Sequence, residues 1–150
     1  MPKRPPPLVY FAHPINTYGT PLEVELQRKI SRKFRHATVI NPGDATHEEV
    51  VREMKKSDPT TNVMGYFVGL VHSCNALVAL PFLDGMWGAG VFKEALIAHE
   101  RGLTVWEIDP ITKKISKRSS LPTDKMLSIE ETRSRVYFPD RSLRAYAHFA

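Results

Sequence analysis

Residues 76–108, ALVALPFLDGMWGAGVFKEALIAHERGLTVWEI, contain two apolar segments separated by a glycine-rich turn and a helical pattern. The segment at 76–82 is an unbroken apolar run and the segment at 103–108 is mainly apolar, which is typical of strands buried on both faces. Between them, apolar residues recur at the three- and four-residue spacing of an amphipathic helix. The order strand, helix, strand indicates neighbouring parallel strands joined by a crossover helix.

The rest of the chain repeats this alternation. Further strands are predicted at 8–13 and 37–41, and helices at 21–36, 46–58, 62–74 and 128–136. Two capping boxes support the helix starts, Thr20 with Glu23 and Thr46 with Glu49, and Ser128 caps the last helix. The pattern predicts an α/β fold, doubly wound (Rossmann- or flavodoxin-like), with helices on both faces of a parallel sheet of four to five strands.

The composition fits one domain. A chain of 150 residues with 42% hydrophobic residues is long enough to bury a core. We expect residues 1–7, MPKRPPP, to form a basic proline-rich leader and residues 8–150 to form a single domain. The single cysteine, Cys74, excludes an internal disulfide framework and favours the cytoplasm. No secretory signal or long apolar span is recognised, so no membrane association is expected.

The net charge of +5 favours an anionic partner. The basic residues are scattered, without the aromatic interleaving of a single-strand binder, so we expect a small phosphorylated ligand and not nucleic acid. No pair of histidines has metal-ligand spacing on a shared helix face, and neither a metal nor a cofactor is expected.

Ligands of doubly wound folds bind outside the carboxyl ends of the strands. Three predicted loops lie there, at 13–19, 41–44 and 81–90, and their polar and aromatic side chains suit a nucleoside-sized ligand. The candidates are His13, Asn16, Tyr18, Asn41, Asp44, Asp84 and Trp87. His13 is expected to bond either the ligand or its own loop, and Trp87 and Tyr18 either to stack on a base or to cover the turn.

The third loop has Gly88 and Gly90 directly before a helix. Glycines there let the backbone approach an anion at the helix N-terminus, or they simply form a tight turn against the strand. Glu94 lies one turn into this helix, within its apolar face. A carboxylate in that position either acts as a nucleophile or as a base of raised pKa, or it reaches the surface or pairs with a buried cation.

The chain resembles the nucleoside 2-deoxyribosyltransferase family and its nucleotide N-hydrolase relatives over roughly residues 8–108. The resemblance is carried by the motifs VYFAHP, VINPGD, CNALVAL and GAGVFKEALIAHERGLTV. In that family the helix carries a catalytic glutamate followed eight residues later by glycine and an apolar strand, as do Glu94 and Gly102 here. The resemblance implies that Glu94 attacks C1′ of the sugar and that the 13–19 loop, Pro14 included, positions base and sugar.

Gly88 departs from the family pattern, because transferases place an aspartate and monophosphate hydrolases a serine six residues before the glutamate. Asp44 is the preferred second carboxylate and Asp84 the other candidate, and both also suit turn positions. The resemblance implies a homodimer or a higher homo-oligomer. The C-terminal stretch 135–150 is expected either to complete a partner's site or to pack on its own chain.

A second family matches the same segment. The GAGVFKE motif also resembles the GxGTxxE loop of phosphoribohydrolases of the cytokinin-activating type, with Val91 in place of threonine. Both resemblances imply cleavage of an N-glycosidic bond at Glu94. A non-enzymatic nucleotide-binding module on the same fold remains the alternative that the Gly88 departure favours.

Overall fold

The computed structural model describes residues 7–149 and contains five strands and five α-helices within that range. The strands are β1 (Leu8–Ala12), β2 (Thr38–Ile40), β3 (Ala76–Ala79), β4 (Thr104–Ile108) and β5 (Ile115–Arg118). The helices are α1 (Pro21–Lys33), α2 (Ala45–Ser57), α3 (Val63–His72), α4 (Ala89–Glu100) and α5 (Ile129–Val136).

The strands form one sheet in the order β2-β1-β3-β4-β5. The first four run parallel, and β5 pairs antiparallel with β4, with Ile108 opposite Ile115. The predicted α/β fold with a mostly parallel sheet is therefore confirmed, whereas the expectation of a wholly parallel sheet is wrong at this edge. No strand is predicted from the sequence at 115–118, because the segment is short and three of its four residues are polar.

The core has two layers, one on each face of the sheet. On one face, Val9 and Phe11 of β1 pack with Leu26 of α1 and Val136 of α5. On the other face, Tyr10 and Ala12 of β1 pack with residues of α3 and α4. Because successive side chains of a strand point to opposite faces, the apolar run of β1 contributes to both layers.

The helix caps agree only partly with the sequence prediction. The Thr20 side chain accepts the Glu23 backbone N–H at the start of α1, and α5 begins with a reciprocal capping box between Ser128 and Glu131. The pair predicted for α2 is wrong, because Asp44 is the N-cap and accepts the N–H of Thr46. The N-cap of α2 thus lies two residues before the predicted one.

The predicted proline-rich leader lies outside the described residues except for Pro7. Within residues 7–149, no helix has both the length and the apolar character that a bilayer span requires. The C-terminal segment packs on its own chain, where buried Tyr146 donates its hydroxyl to the carbonyl of Pro81.

Candidate functional site

A cavity of about 360 Å³ opens at the carboxyl ends of β1 and β3. These two strands are neighbours in the sheet, but the chain leaves β1 toward β2 and returns on the other side, so the loops diverge and leave a crevice between them. Its walls come from the loop after β1, the start of α4, and parts of α3 and α5. We call it the Glu94 cavity.

Glu94 lies in the wall of this cavity and is only 8% exposed. It is one turn into α4, on the face that packs against the sheet, as the helical periodicity predicted. Burial raises the pKa of Glu94 to about 7, although a hydrogen bond from the Tyr10 hydroxyl acts in the opposite direction. The carboxyl group therefore changes its charge close to neutral pH.

Tyr10 holds one oxygen of that carboxyl group. Its side chain points from β1 toward α4, and its hydroxyl donates a hydrogen bond to Oε2 of Glu94. Burial, and then the neighbouring carboxylate, raises the pKa of Tyr10 above its ordinary value. The phenol thus keeps its proton and remains a donor, which leaves Oε1 of Glu94 for another contact.

His13 lines the cavity, but both of its ring nitrogens have partners within the protein. Nδ1 lies 2.8 Å from the carbonyl oxygen of Phe11, and Nε2 lies 2.7 Å from Oε2 of Glu23. Burial by itself raises the pKa of Glu23, but the hydrogen bonds from His13 and from the Gly19 N–H outweigh it and lower the net pKa. Both ring nitrogens of His13 are therefore engaged by oxygen atoms of the protein itself, which hold the ring in place in the cavity wall.

Tyr18 forms the next part of the wall and is fixed by its neighbours. Its ring centroid lies 4.8 Å from that of His13, and a Cβ on Gly43 would come within 2.8 Å of the Tyr18 ring. Glycine at position 43 therefore permits the second loop to pack closely against the first. Burial, followed by the charge of Glu94, raises the pKa of Tyr18, so its hydroxyl stays protonated beside the cavity.

The N-terminus of α4 supplies backbone groups to the cavity. Gly88 is the N-cap and makes no side-chain cap, while Thr132 of α5 accepts the N–H of Ala89 through its hydroxyl at 2.8 Å. Gly88, Gly90 and Thr132 all line the cavity. A helix leaves its first N–H groups without intrahelical partners, so this end of α4 presents a partial positive charge beside Glu94.

The structure does not bring the two candidate aspartates to the cavity. Asp44 is exposed and caps α2. Asp84 forms an ion pair with Arg135 at 2.7 Å and accepts the N–H of Met86. The Arg135 guanidinium holds the pKa of Asp84 below its ordinary value, so this carboxylate is ionised and engaged.

Three other candidates also lie away from the cavity. Asn16 is buried and donates to the carbonyls of Arg135 and Arg144. The Asn41 side chain donates a hydrogen bond to Gln27 of α1 and accepts one from the Gly43 N–H in the second loop. Trp87 is fully buried in the core, and its indole nitrogen has no hydrogen-bond partner among the residues the structure describes.

Pro14 does line the cavity, and so do two hydroxyl-bearing residues that the sequence analysis did not identify as site residues, Tyr10 and Thr132. Tyr10 had a weak signal, because it is the only hydroxyl group in the apolar run LVYFA. Thr132 had none, because its position beside Gly88 depends on how α5 packs. Across residues 7–149, no three His, Cys, Asp or Glu side chains are grouped so that they could hold a metal ion.

Comparison with known proteins leaves the family open. No protein-family model matches this sequence, and no curated protein and no solved structure matches it either. The resemblance to the deoxyribosyltransferase family thus stays a prediction, and the chemistry of the Glu94 cavity is what bears on function.

Proposed function

We propose that this protein cleaves or exchanges the N-glycosidic bond of a (deoxy)nucleoside or its 5′-monophosphate, with Glu94 as the nucleophile. The observation that supports this most directly is a buried carboxyl group, held by Tyr10, in the wall of a nucleoside-sized cavity. Burying a carboxyl group without a cationic partner is unfavourable, and such groups concentrate at functional sites.

In the proposed reaction, Oε1 of ionised Glu94 attacks the anomeric carbon of the sugar. The bond to the base breaks, the base leaves with the bonding electron pair and takes up a proton from solvent, and a glycosyl ester forms on Glu94. Water or a second base then attacks the same carbon, breaks the ester bond, releases the carboxylate and loses a proton to solvent. Tyr10 orients the carboxylate throughout by its hydrogen bond to Oε2.

The end of α4 is the proposed site for the 5′ group of the sugar. Its N–H groups near Gly88 and Gly90 suit an oxygen-rich or anionic substituent. This placement rests on a doubly wound arrangement of the sheet, in which ligands bind where the strand order reverses.

A second candidate is a nucleotide-binding module without activity. It is favoured by the positions of Asp44 and Asp84, which leave Glu94 as the sole carboxylate among the described residues that line the cavity. Such a module would bind nucleosides in the same place without breaking a bond.

Chromatographic detection of free base separates the two candidates. The protein is incubated with deoxynucleosides, ribonucleosides and their 5′-monophosphates, with and without an acceptor base. We expect base release or exchange by the parent, and a loss of at least about a thousandfold in Glu94→Gln. The matched control is Glu100→Gln, which neutralises an exposed glutamate on the same helix. Full activity in Glu94→Gln would remove the nucleophile assignment, and binding without turnover would favour the module.

A further inference from the structure

A second hollow, of about 710 Å³, lies between α5 and the hairpin that follows it. Three arginines line it, Arg133, Arg141 and Arg144, together with the aromatic rings of Tyr137 and Phe138. Among the described residues of its lining, none is acidic. We call it the arginine cleft. It is not part of the Glu94 cavity, whose contacts with α5 are made by Thr132 and Val136.

The hairpin holds one of these arginines in a strained conformation. The N–H of Phe138 donates to the carbonyl of Ser142, and the N–H of Arg141 donates to the carbonyl of Phe138. This tight turn places Arg141 at a φ of 70°, in the left-handed region where glycine is normally found. Strain of this kind persists where the surrounding structure enforces it, and it concentrates at functional positions.

The Arg144 side chain is held in place within the cleft by contacts of the protein itself. The guanidinium carbon of Arg144 lies 4.6 Å from the centroid of the Phe138 ring, and its Nε donates to the carbonyl of Tyr137. Buried Asn16 donates to the carbonyl of Arg144 and so joins the hairpin to the loop after β1. A preorganised site loses less side-chain entropy when it binds.

We propose that the arginine cleft binds a nucleotide, with the phosphates on the arginines and the base against Tyr137 and Phe138. Guanidinium groups match phosphate geometry and stack on planar rings, and the aromatic side chains offer a surface for a base. The volume of about 710 Å³ lies within the range of small-molecule sites, so a nucleotide with its phosphates fits. This site is additional to the proposed reaction and does not depend on it.

The test is a calorimetric titration of the full chain with ADP, with adenosine as the comparison that lacks phosphate. It is carried out in a Gly90→Leu background, because a side chain there would enter the Glu94 cavity, where a Cβ on Gly90 meets no atom within 4 Å. We expect ADP to bind this background, and adenosine to bind at least about tenfold more weakly.

Two variants and one control assign the binding to the cleft. Arg133→Gln and Arg141→Gly should each weaken ADP binding by about tenfold. Arg141→Gly relieves backbone strain, so its loss of binding does not come from unfolding, which a thermal melt verifies. The control is Lys113→Gly. Lys113 is the other described non-glycine residue with a positive φ, and it lies outside the cleft, so this variant makes the same change of charge and backbone elsewhere. It should bind ADP like the background.

Three results would overturn the proposal. The first is the absence of ADP binding in the Gly90→Leu background, or ADP binding there that neither arginine variant weakens. The second is a single-stranded oligonucleotide that binds much more tightly than ADP in an arginine-dependent way, which would make the cleft a nucleic-acid site. The third is a dimer in sedimentation that the arginine variants dissociate and ADP does not affect, which would make it an interface.

Discussion

Helix α5 separates two hollows with opposite chemistry. The Glu94 cavity has a buried carboxyl group surrounded by mainly apolar side chains, whereas the arginine cleft has cations on a surface of aromatic rings. A buried charge lowers stability, so its presence points to reactivity. Solvated cations have little effect on stability, and the positions in which the backbone holds them affect ligand binding instead. The two hollows should therefore respond differently to the same kind of substitution.

The largest expected effect is on stability at the buried carboxyl group. The pKa of Glu94 is raised in the folded state to about 7, so its contribution to stability is complete below its ordinary pKa and is lost as pH rises through 7. Glu94→Gln cannot ionise and should be more stable than the parent by about 3 kcal/mol at pH 8.5, with almost no difference at pH 4. Urea unfolding at both pH values measures this.

Arg133→Gln in the cleft is the matched comparison, since it also replaces a charged group by an amide. It should change the unfolding free energy by no more than about 0.5 kcal/mol at either pH. An equal gain from Glu94→Gln at both pH values would contradict the contrast between the two hollows.

The next effect concerns Tyr10. Its hydrogen bond lowers the pKa of Glu94, so Tyr10→Phe should raise that pKa and move the acidic limb of the kcat/KM profile to higher pH. We also expect a loss of rate of about tenfold at neutral pH. Tyr66→Phe is the control, because it removes a hydroxyl that bonds His47 and does not line the cavity. An unshifted limb in Tyr10→Phe would show that Glu94 does not control the profile.

A smaller effect is expected at the strained turn of the cleft. Arg141→Gly should raise the unfolding free energy by about 1 kcal/mol, because glycine adopts a φ of 70° without strain. Arg133→Gly, within α5, should lower it by a similar amount, because glycine weakens a helix. Thermal and urea unfolding of both variants measure whether the unfolding free energy rises in one and falls in the other. A loss of stability in Arg141→Gly would show that the backbone at position 141 is not strained.

The smallest effect is expected at Gly88. A Cβ there would lie 3.4 Å from Cγ2 of Thr132 and 3.5 Å from a ring carbon of Phe82, which is ordinary contact. Gly88→Ser should therefore fold normally and gain a few tenths of a kcal/mol as a better N-cap. Gly43→Ala is the contrasting variant, because its Cβ would collide with Tyr18, and it should be clearly destabilised. Equal melting temperatures of these two variants would show that the loops adapt more than the structure indicates.

Gly88→Ser also tests the departure from the family pattern. A hydroxyl at this position lies at the N-terminus of α4, beside the place proposed for the 5′ group. We expect it to increase the use of 5′-monophosphates relative to free nucleosides in the base-release assay. An unchanged ratio of monophosphate to nucleoside use would show that this loop does not recognise the 5′ group.

Local sequence patterns predicted most of the elements. The apolar runs of β1 and β3 and the periodicity of α4 are properties of a few neighbouring residues, so the strands and the position of Glu94 could be inferred from them. The predicted start of α2 was wrong, because the segment contains two residues that can cap a helix, Asp44 and Thr46, two positions apart. Strand β5 was missed because its pairing with β4 compensates for a weak local pattern.

Side-chain partners could not be predicted in the same way. Asp84, His13 and Asn16 all look like ligand-binding residues in a loop, yet the structure pairs them with Arg135, Glu23 and the backbone of the C-terminal segment. These partners lie 10 or more positions away, and the choice between a ligand and a protein partner depends on how the helices pack.

The sequence alone determined the α/β alternation and put a carboxyl group in the apolar face of α4, because both depend on local periodicity. Only the tertiary structure decided that Tyr10 holds Glu94, that Asp44 and Asp84 stay outside the cavity, and that α5 has an arginine cleft beside it. The physical reason is that pKa shifts, ion pairs and cavities arise between groups that folding brings together. Those groups are far apart along the chain, so no local sequence pattern indicates their contact.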